Sequence, residues 1–430
     1  MIKIAFMETP SPWLVRQNAQ TSLGLLYLAT ITDMAGYTTE MFKPKDFNAL
    51  DRLLDFDIVC MGGTTLEYPM NVDCAHYLKN KNPKITIFIG GSHITAMGIE
   101  NVPDTLFDAI CIGEGEDAIL EMIHDYELKQ LKKRYISYSF VDINRIPVPN
   151  RALIPGSHGG EIFAGNEKRA GDGGNENFIT SRGCPFNCSF CASRSIWKGK
   201  MRYRSIENIS YELQYITAVS TIKQLRICDD NITSNTNRLA DLCAEIKNCG
   251  FVWRCSVRAE SLTKKTCKLL HDGGCREVSV GIESGDQRVL DYLNKRTTIQ
   301  KMLEGCRNAK EAGITVRALF MIGTPGEQKD TPERNLQFIK NLDYDLITLS
   351  TFIPLPGTDI WKYPDKFNCK ILTKDFRLYN KDYVIKNNDK IETRTYTPLI
   401  QNLFLTKNEM ISNVARMEKY VQETGKYNKG

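Results

Sequence analysis

The sequence lacks any uninterrupted apolar run long enough to cross a membrane, since a span needs about 18 such residues. Its first ten residues, MIKIAFMETP, also lack the basic stretch and apolar segment of a signal peptide. We therefore predict no membrane association and a cytoplasmic location. The fourteen cysteines would then lie in a reducing compartment, where they are more typical of metal binding than of disulfide bonds.

An excess of charge of one sign is also absent. The 56 Lys and Arg residues exceed the 51 Asp and Glu residues by only 5. No long basic block or basic-aromatic stripe stands out, and residues 129–134 are more typical of a solvated helix end. Nucleic acid is therefore not an expected partner. With 42% hydrophobic and 25% charged residues, the 430-residue chain has the composition of a globular protein of about two domains.

Residues 1–131 alternate short apolar runs with helical patterns. Such alternation predicts an α/β domain with a doubly wound, Rossmann-like parallel sheet. The stretch Asp117–Leu131 is a predicted helix of this domain. The predicted strands are Ile2–Met7, Thr39–Phe42, Ile58–Met61, Ile85–Ile89 and Ala109–Ile112.

Residues 132–177 break this regularity, and we interpret them as a linker that includes a glycine-rich loop at 156–176, a candidate active-site cover. Residues 178–358 alternate again, which predicts a partial (β/α)6 barrel with its chemistry at the carboxyl ends of the strands. Residues 359–430 form a C-terminal extension with one predicted helix, Lys407–Gln422. The six predicted barrel strands are Phe178–Arg182, Gln224–Asp229, Val252–Val257, Glu277–Ile282, Thr315–Ile322 and Leu346–Phe352.

Three cysteines, Cys184, Cys188 and Cys191, fall within eight residues after the first barrel strand. Structural zinc usually takes four ligands in two matched pairs, and no second pair follows. A cubane iron–sulfur cluster bound by three cysteines instead leaves one iron open for the donor atoms of a substrate. The pattern therefore favours a [4Fe–4S] cluster over zinc. Gly183 and Pro185 favour a tight turn that approaches such a cluster closely.

This CxxxCxxC segment, with the aromatic Phe190 before its third cysteine, resembles the motif of the radical S-adenosylmethionine (SAM) superfamily. The resemblance implies that the open iron binds the amino and carboxylate groups of SAM. It also implies that one electron splits SAM into methionine and a 5′-deoxyadenosyl radical, and that Phe190 packs near the adenine. An electron donor such as flavodoxin or ferredoxin is implied as a partner.

The resemblance continues along the second and third predicted barrel strands. Asp229 and Asp230 end the second strand, where the family contacts the SAM ammonium group, and a carboxylate pair suits that charge. Helix capping is the alternative role for Asp230. Arg258, or Arg254 near it, would bind the methionine carboxylate or form a structural ion pair.

The fourth and fifth predicted strands also match the family. Glu283 and Ser284 end the fourth strand, where the resemblance implies contacts to the ribose hydroxyls. Ile322 lies on the fifth strand, which contacts the adenine in the family. Glu327, a few residues later, is interpreted as a surface residue.

Three phrases of the first domain, Ser22–Ala29, Gly90–Ala96 and Gly113–Glu116, resemble the cobalamin-binding domain of one branch of this superfamily. The resemblance implies a cobalamin site. None of the five histidines lies in the Asp-x-His-x-x-Gly motif that ligates cobalt elsewhere, and the branch shares that absence. Glycines at strand ends would let a flat corrin approach the sheet, although any doubly wound fold uses them too. His93 is either a cofactor contact or structural. The candidate cobalamin-binding residues are Gly90, Gly91, His93, Gly113 and Glu114.

Together these features predict a radical SAM enzyme that performs cobalamin-dependent methylation of an unactivated carbon. One alternative is a cobalamin-independent cyclase, oxidase or rearrangement enzyme with the same architecture. Another is a non-catalytic iron–sulfur binding or sensor protein. The substrate is a small molecule or peptide whose identity the residues do not reveal.

Overall fold

The computed structural model describes residues 2–10, 21–98, 102, 105–154, 176–379, 385–387, 390–392 and 396–424. The chain divides into two compact units, residues 1–177 with 207–222, and residues 178–206 with 223–430. The predicted loop at 156–176 lies outside the described residues except for its last position, so its role as a cover stays a prediction. Among the described residues, no helix is both long and apolar enough to cross a lipid bilayer.

The first unit is built on a parallel sheet with the strand order β2-β1-β3-β4-β5-β6. Four of the five residues of β1, and all four of β5, are buried, as expected for strands covered on both faces. The five predicted strands are confirmed to within one residue at each end. The strands are β1 Lys3–Met7, β2 Thr38–Phe42, β3 Ile58–Gly62, β4 Thr86–Gly90, β5 Ala109–Ile112 and β6 Arg134–Ile136.

The sixth strand, β6, lies in the segment predicted to be a linker, and for these three residues that prediction is wrong. Only Tyr135 of β6 is buried, so the sequence carries no apolar run to mark it. Among the described residues of 1–177, the α-helices are α1 Leu23–Met34, α2 Tyr68–Lys81, α3 Ser92–Met97 and α4 Ala118–Glu127. The last is shorter than the predicted Asp117–Leu131, because the backbone turns left-handed at Lys129, where φ is 58°.

The second sheet has the strand order β14-β13-β12-β11-β10-β7, and β10 to β14 run parallel to their neighbours. Its strands are β7 Glu176–Phe178, β10 Gln224–Ile227, β11 Val252–Arg258, β12 Cys275–Glu283, β13 Thr315–Ile322 and β14 Leu346–Thr351. A separate antiparallel pair joins β8 Ser181–Arg182 to β9 Arg202–Tyr203. The six-stranded, open barrel-like sheet confirms the predicted fold class.

The first predicted barrel strand, Phe178–Arg182, is divided in the structure. Phe178 ends β7 of the large sheet, whereas Ser181 and Arg182 form β8 of the small pair. The break places the cysteine loop directly after a short ribbon. The later helices are α5 Ser193–Trp197, α6 Ile206–Val219, α7 Thr236–Asn248, α8 Lys264–Asp272, α9 Gln287–Tyr292, α10 Ile299–Glu311 and α11 Thr331–Asn341.

The C-terminal extension begins with α12 Asp359–Lys362 and ends with α13 Lys407–Glu423, close to the predicted helix. Thr406 and Glu409 form a reciprocal capping box at the start of α13. The described residues between the two helices include the short strands β15 Cys369–Ile371, β16 Ile385–Asn387, β17 Lys390–Glu392 and β18 Ile400–Asn402. Antiparallel pairing joins β15 to β18 and β16 to β17.

Candidate active site

The three cysteines lie on the loop between β8 and α5, and backbone contacts hold that loop in place. The Ser189 amide donates to the Leu293 carbonyl at 2.9 Å, and the Ile360 amide donates to the Ser189 carbonyl at 3.2 Å. Gly183 has φ of 104°, and a Cβ there would overlap the Lys200 carbonyl oxygen. A neighbouring peptide group therefore requires glycine here. The sequence alone suggested that the close approach of a cluster was the reason.

Burial affects the protonation of two of the three thiols. It raises the pKa of Cys184, and it raises that of Cys191 to about 12, with a smaller contribution from the charge of Cys188. Metal ligation requires thiolates, so loading of this site would release protons. Among the described residues, no three His, Cys, Asp or Glu side chains converge as the ligands of a single ion would. The corners of a cubane are spaced more widely, so the soft three-sulfur donor set suits a cluster better than zinc.

The two carboxylates after β10 have different surroundings. Asp229 is buried and accepts hydrogen bonds from the Thr180 amide at 2.7 Å, the Thr180 hydroxyl at 2.6 Å and the Ser181 hydroxyl at 2.5 Å. Burial nevertheless raises its pKa. Both of its oxygens are thus engaged in attaching the residues after β7 to β10.

Asp230, in contrast, belongs to the surroundings of the triad. It accepts a hydrogen bond from the Ser193 hydroxyl at 3.1 Å, and its charge raises the pKa of both Cys184 and Cys191. It caps no helix, because Asn235 caps α7. Of the two predicted carboxylates, Asp230 is the one placed to meet a cation at the triad.

Arg258 lies at the end of β11 and contacts the cysteine loop directly. Its Nη1 is 3.2 Å from the Cys188 sulfur, and its guanidinium lies 3.9 Å from the centroid of the Phe186 ring. Its Nε bonds Glu260 and its Nη2 bonds the Lys295 carbonyl. The ion pair with Glu260 corresponds to the structural alternative. The cation also lies where it would offset negative charge on a ligated Cys188.

Glu283, at the end of β12, adopts an unusual backbone conformation for a residue with a side chain. Its φ is 64°, a left-handed geometry that costs roughly 1–2 kcal/mol. Its carboxylate pairs with the nearly buried Lys295, at 2.7 Å between Nζ and Oε1. The same Nζ lies 5.9 Å from the Phe190 ring centroid. Local strain of this kind is concentrated at functional sites.

Lys295 is the residue that sequence reasoning missed. It follows α9, twelve positions after its partner, and no motif marks it. Asn294 and Arg296 on either side both have positive φ, at 51° and 55°. The tight turn around Lys295 directs its side chain to Glu283 and Phe190, which only the fold reveals.

Ser284 is buried in the second unit and forms hydrogen bonds within it. It is 1% exposed, donates to the side-chain Oδ1 of Asn335 at 2.9 Å and accepts from the Asp286 amide at 3.1 Å. Its hydroxyl therefore already has protein partners, unlike the ribose contact that the resemblance implied. Ile322 is also buried, at the end of β13, and its carbonyl accepts from the Phe352 amide at 2.8 Å.

The interpretation of Glu327 as a surface residue is wrong. The side chain is buried and accepts hydrogen bonds from the Thr324 amide at 3.0 Å and the Thr324 hydroxyl at 3.2 Å. Burial raises its pKa to about 7. The Asn402 side chain of β18 donates to the Glu327 carbonyl at 3.0 Å, so the C-terminal extension packs on this loop.

In the first unit, three of the candidate cobalamin residues lie at the end of β4: Gly90 is its last residue, and Gly91 and His93 follow. Gly91 has φ of 94°, and a Cβ there would lie 2.7 Å from the Gly63 nitrogen, so the two glycine-containing turns approach one another. His93 is buried, with Nδ1 3.1 Å from the Thr65 hydroxyl and its ring stacked on Tyr68 at 4.1 Å. Burial lowers its pKa to about 4, which keeps the imidazole neutral.

The other two candidates follow β5. Gly113 has φ of 99°, and a Cβ there would clash with Ser137 at 2.9 Å. The Glu114 carboxylate accepts from the Val141 amide at 2.8 Å. The Ser137 amide also donates to the Ile112 carbonyl at 2.8 Å, so the chain beyond β6 packs closely on the end of β5.

Comparisons with known proteins point to the same superfamily. Residues 178–339 match the family model of the radical SAM superfamily. An uncharacterised methyltransferase of Pyrococcus horikoshii is 28% identical over 409 residues, which are 88% of this chain and 86% of that protein. An anaerobic magnesium-protoporphyrin IX monomethyl ester cyclase of Rubrivivax gelatinosus is 26% identical over 391 residues, 82% of this chain and 67% of that protein.

Among solved structures, the radical SAM methyltransferase TsrM of Kitasatospora setae, with cobalamin and a [4Fe–4S] cluster bound, matches with a TM-score of 0.69. The alignment covers 97% of this chain and 91% of that one, at 13% identity. At this level of identity the likeness establishes the fold.

Proposed function

We propose that this chain, a member of the radical SAM superfamily, holds a [4Fe–4S] cluster through Cys184, Cys188 and Cys191 and cleaves SAM reductively. One observation carries the proposal. Charged side chains from the ends of β10 and β11, Asp230 and Arg258, lie against the loop that bears the three thiols. A structural metal knuckle has no need of such charges, whereas a site for a zwitterionic amino acid does.

The roles of the residues follow from their charges. Asp230 would accept the ammonium group of SAM, and the Cys188–Arg258 contact would balance charge at the ligated sulfur. Glu283, held by Lys295 in a costly conformation, would accept hydrogen bonds from the ribose. Phe190, beside Lys295, would pack on the adenine. When bound, the cluster supplies the electron that converts SAM into methionine and a 5′-deoxyadenosyl radical.

We further propose that the radical serves methyl transfer to an unactivated carbon, with cobalamin as the methyl carrier. The cobalamin-bound TsrM structure, which shares this fold, supports it, and the tightly packed glycine turns after β3, β4 and β5 mark the end of the first sheet where the corrin would bind. The buried, neutral His93 would take a positioning role there. The relative from Pyrococcus horikoshii and the solved TsrM structure both bear the name methyltransferase.

Cobalamin-independent radical chemistry on the same architecture is the second candidate. The 26% identity to a named cyclase, over 82% of this chain, favours it specifically. The two candidates differ in whether a corrin is bound, and in whether the methyl group of SAM reaches a product.

An anaerobic reconstitution distinguishes them. Protein loaded with iron, sulfide and cobalamin, then reduced with dithionite, should form 5′-deoxyadenosine from SAM and retain the absorption of bound cob(II)alamin after gel filtration. Retained SAM cleavage with no retained corrin would favour the cyclase-like candidate. No 5′-deoxyadenosine from a cluster-loaded protein would contradict radical SAM activity and favour a binding or sensor protein.

A further inference from the structure

The cysteine loop lies in an unusually basic stretch of the chain. Between Phe178 and Ile206 there is no Asp or Glu, although the whole sequence nearly balances its 56 cations against 51 anions. Neutral residues separate its cations, so it contains no contiguous basic block. Its six cations are Arg182, Arg194, Lys198, Lys200, Arg202 and Arg204.

A cavity of about 370 Å³ opens beside the loop. Cys188 and Cys191 form part of its wall, together with residues of α5 and of the start of the C-terminal extension. Three exposed cations line it: Arg194, Lys198 and Lys362. Asp359 is the one acid among the lining residues, so the cavity carries a net positive charge.

Apart from the two cysteines, this cavity shares no lining residue with the proposed SAM site. None of Phe190, Asp230, Arg258, Glu283 or Lys295 lines it. The loop thus has one side that faces the proposed SAM-binding groups and another that faces the basic cavity. Within the part of the chain that the structure describes, Arg194, Lys198 and Lys362 form no ion pair. Their charge is therefore available to an external partner.

An aromatic side chain lies in the same basic stretch. Trp197 of α5 is half-buried, with the guanidinium groups of Arg182 and Arg202 at 6.0 and 5.4 Å from its ring centroid. Aromatic residues and arginine are enriched at protein interfaces. Transient electron-transfer complexes are small and use charge complementarity more than apolar area.

We propose that this basic face, defined by Arg194, Lys198 and Lys362, is the docking surface for an acidic one-electron carrier protein. The inference rests on the proposed function, because that chemistry consumes one electron per SAM cleaved. Docking here would bring the carrier's redox group to the wall formed by Cys188 and Cys191. The carrier would pass one electron across this wall, its flavin going from hydroquinone to semiquinone, and no bond would form between the proteins.

Direct binding tests the surface without any turnover. An acidic flavodoxin, titrated into the reconstituted enzyme by calorimetry at low salt, should bind the double variant Arg194→Glu, Lys198→Glu at least tenfold more weakly than the wild type. The matched control is Lys264→Glu, Lys265→Glu, which reverses two exposed charges on α8 of the same unit. This control should bind like the wild type. Equal binding by all three proteins would overturn the proposal.

Turnover gives the second test. With flavodoxin and its NADPH-dependent reductase, the Arg194→Glu, Lys198→Glu variant should form 5′-deoxyadenosine about tenfold more slowly, and the wild-type rate should fall as salt screens the charges. With dithionite, which needs no docking surface, the variant and the wild type should have equal rates. An equal loss with both reductants would contradict the docking role. If the wild type cleaves no SAM even with dithionite, the proposed function fails, while the binding titration still decides the surface.

Discussion

Among single residues, Cys188 is the one whose substitution should remove the activity while leaving the stability of the fold nearly unchanged. It is only partly buried, and its sulfur contacts Arg258. We expect Cys188→Ala to leave the unfolding transition nearly unchanged and to abolish SAM cleavage, because two thiolates cannot hold the cluster with one defined open iron. Iron content and 5′-deoxyadenosine formation measure this. Cys249→Ala, at another partly buried thiol, is the control and should keep both. Retained cleavage in Cys188→Ala would contradict the assignment.

Glu283 tests whether strain is maintained for function. At its φ of 64° an alanine carries the same left-handed cost as glutamate, whereas glycine carries little. We therefore expect Glu283→Gly to be about 1 kcal/mol more stable than Glu283→Ala in urea unfolding. Both variants leave Lys295 without its carboxylate partner. The difference between their free energies of unfolding therefore reports the cost of the left-handed backbone conformation alone.

Both Glu283 variants should raise the KM for SAM about tenfold or more, since both lose the carboxylate proposed to bind the ribose. If Glu283→Ala and Glu283→Gly keep the wild-type KM, Glu283 is a structural partner of Lys295 and no more.

At the residue scale, sequence reasoning succeeded where a motif was local and failed where partners were distant. The cysteine spacing identified the loop without any structure. It could not choose between Asp229 and Asp230, because the choice depends on Thr180 and Ser181 arriving from another strand. It could not find Lys295 for the same reason.

Among the elements, the turn before the triad is the most constrained. A Cβ at Gly183 would overlap the Lys200 carbonyl oxygen, a backbone atom that cannot move aside like a side chain. We expect Gly183→Ala to destabilise the unit by about 3 kcal/mol or more and to lower iron incorporation. Gly250 has a similar φ of 77° with nothing near its missing Cβ.

Gly250→Ala is therefore the matched control for backbone conformation alone, and should cost about 1 kcal/mol. Chemical denaturation and iron analysis of both variants decide the matter. Equal effects of the two substitutions would show that the turn is not sterically locked.

The loop after β13 should make stability depend on pH through Glu327. Burial raises its pKa from an ordinary value of 4.5 to about 7, so the native state binds the proton more tightly than the unfolded state. This contribution is fully present below pH 4.5 and is lost as pH rises through 7. Glu327→Gln should thus gain roughly 2 kcal/mol relative to the wild type between pH 5 and pH 8.

Urea unfolding at the two pH values measures that difference. Glu304→Gln, at an exposed position of α10, is the control for the removal of one carboxylate. A constant difference between Glu327→Gln and the wild type at both pH values would contradict the buried, protonated state.

At the element scale, buried strands were predictable because their apolar, β-branched runs are visible in the sequence. β6 was not predicted, because a three-residue strand with one buried side chain has no such apolar run. The division of Phe178–Arg182 between two sheets was also not predicted, since periodicity cannot show where the chain stops pairing with one strand and begins to pair with another.

At the scale of the whole molecule, the chain combines a doubly wound unit with an open barrel-like unit, and the proposed chemistry requires both. The order of strands and helices made this architecture predictable. The grouping of α6 with the first unit was not, because helical periodicity does not identify the sheet that a helix accompanies.

The most direct test of the central claim is electron paramagnetic resonance of the anaerobically reconstituted, dithionite-reduced protein before and after addition of SAM. A cluster held by Cys184, Cys188 and Cys191 with one open iron predicts a [4Fe–4S] signal whose g-values shift when SAM binds. A signal that SAM leaves unchanged, or a protein that incorporates zinc in place of iron, would contradict the account.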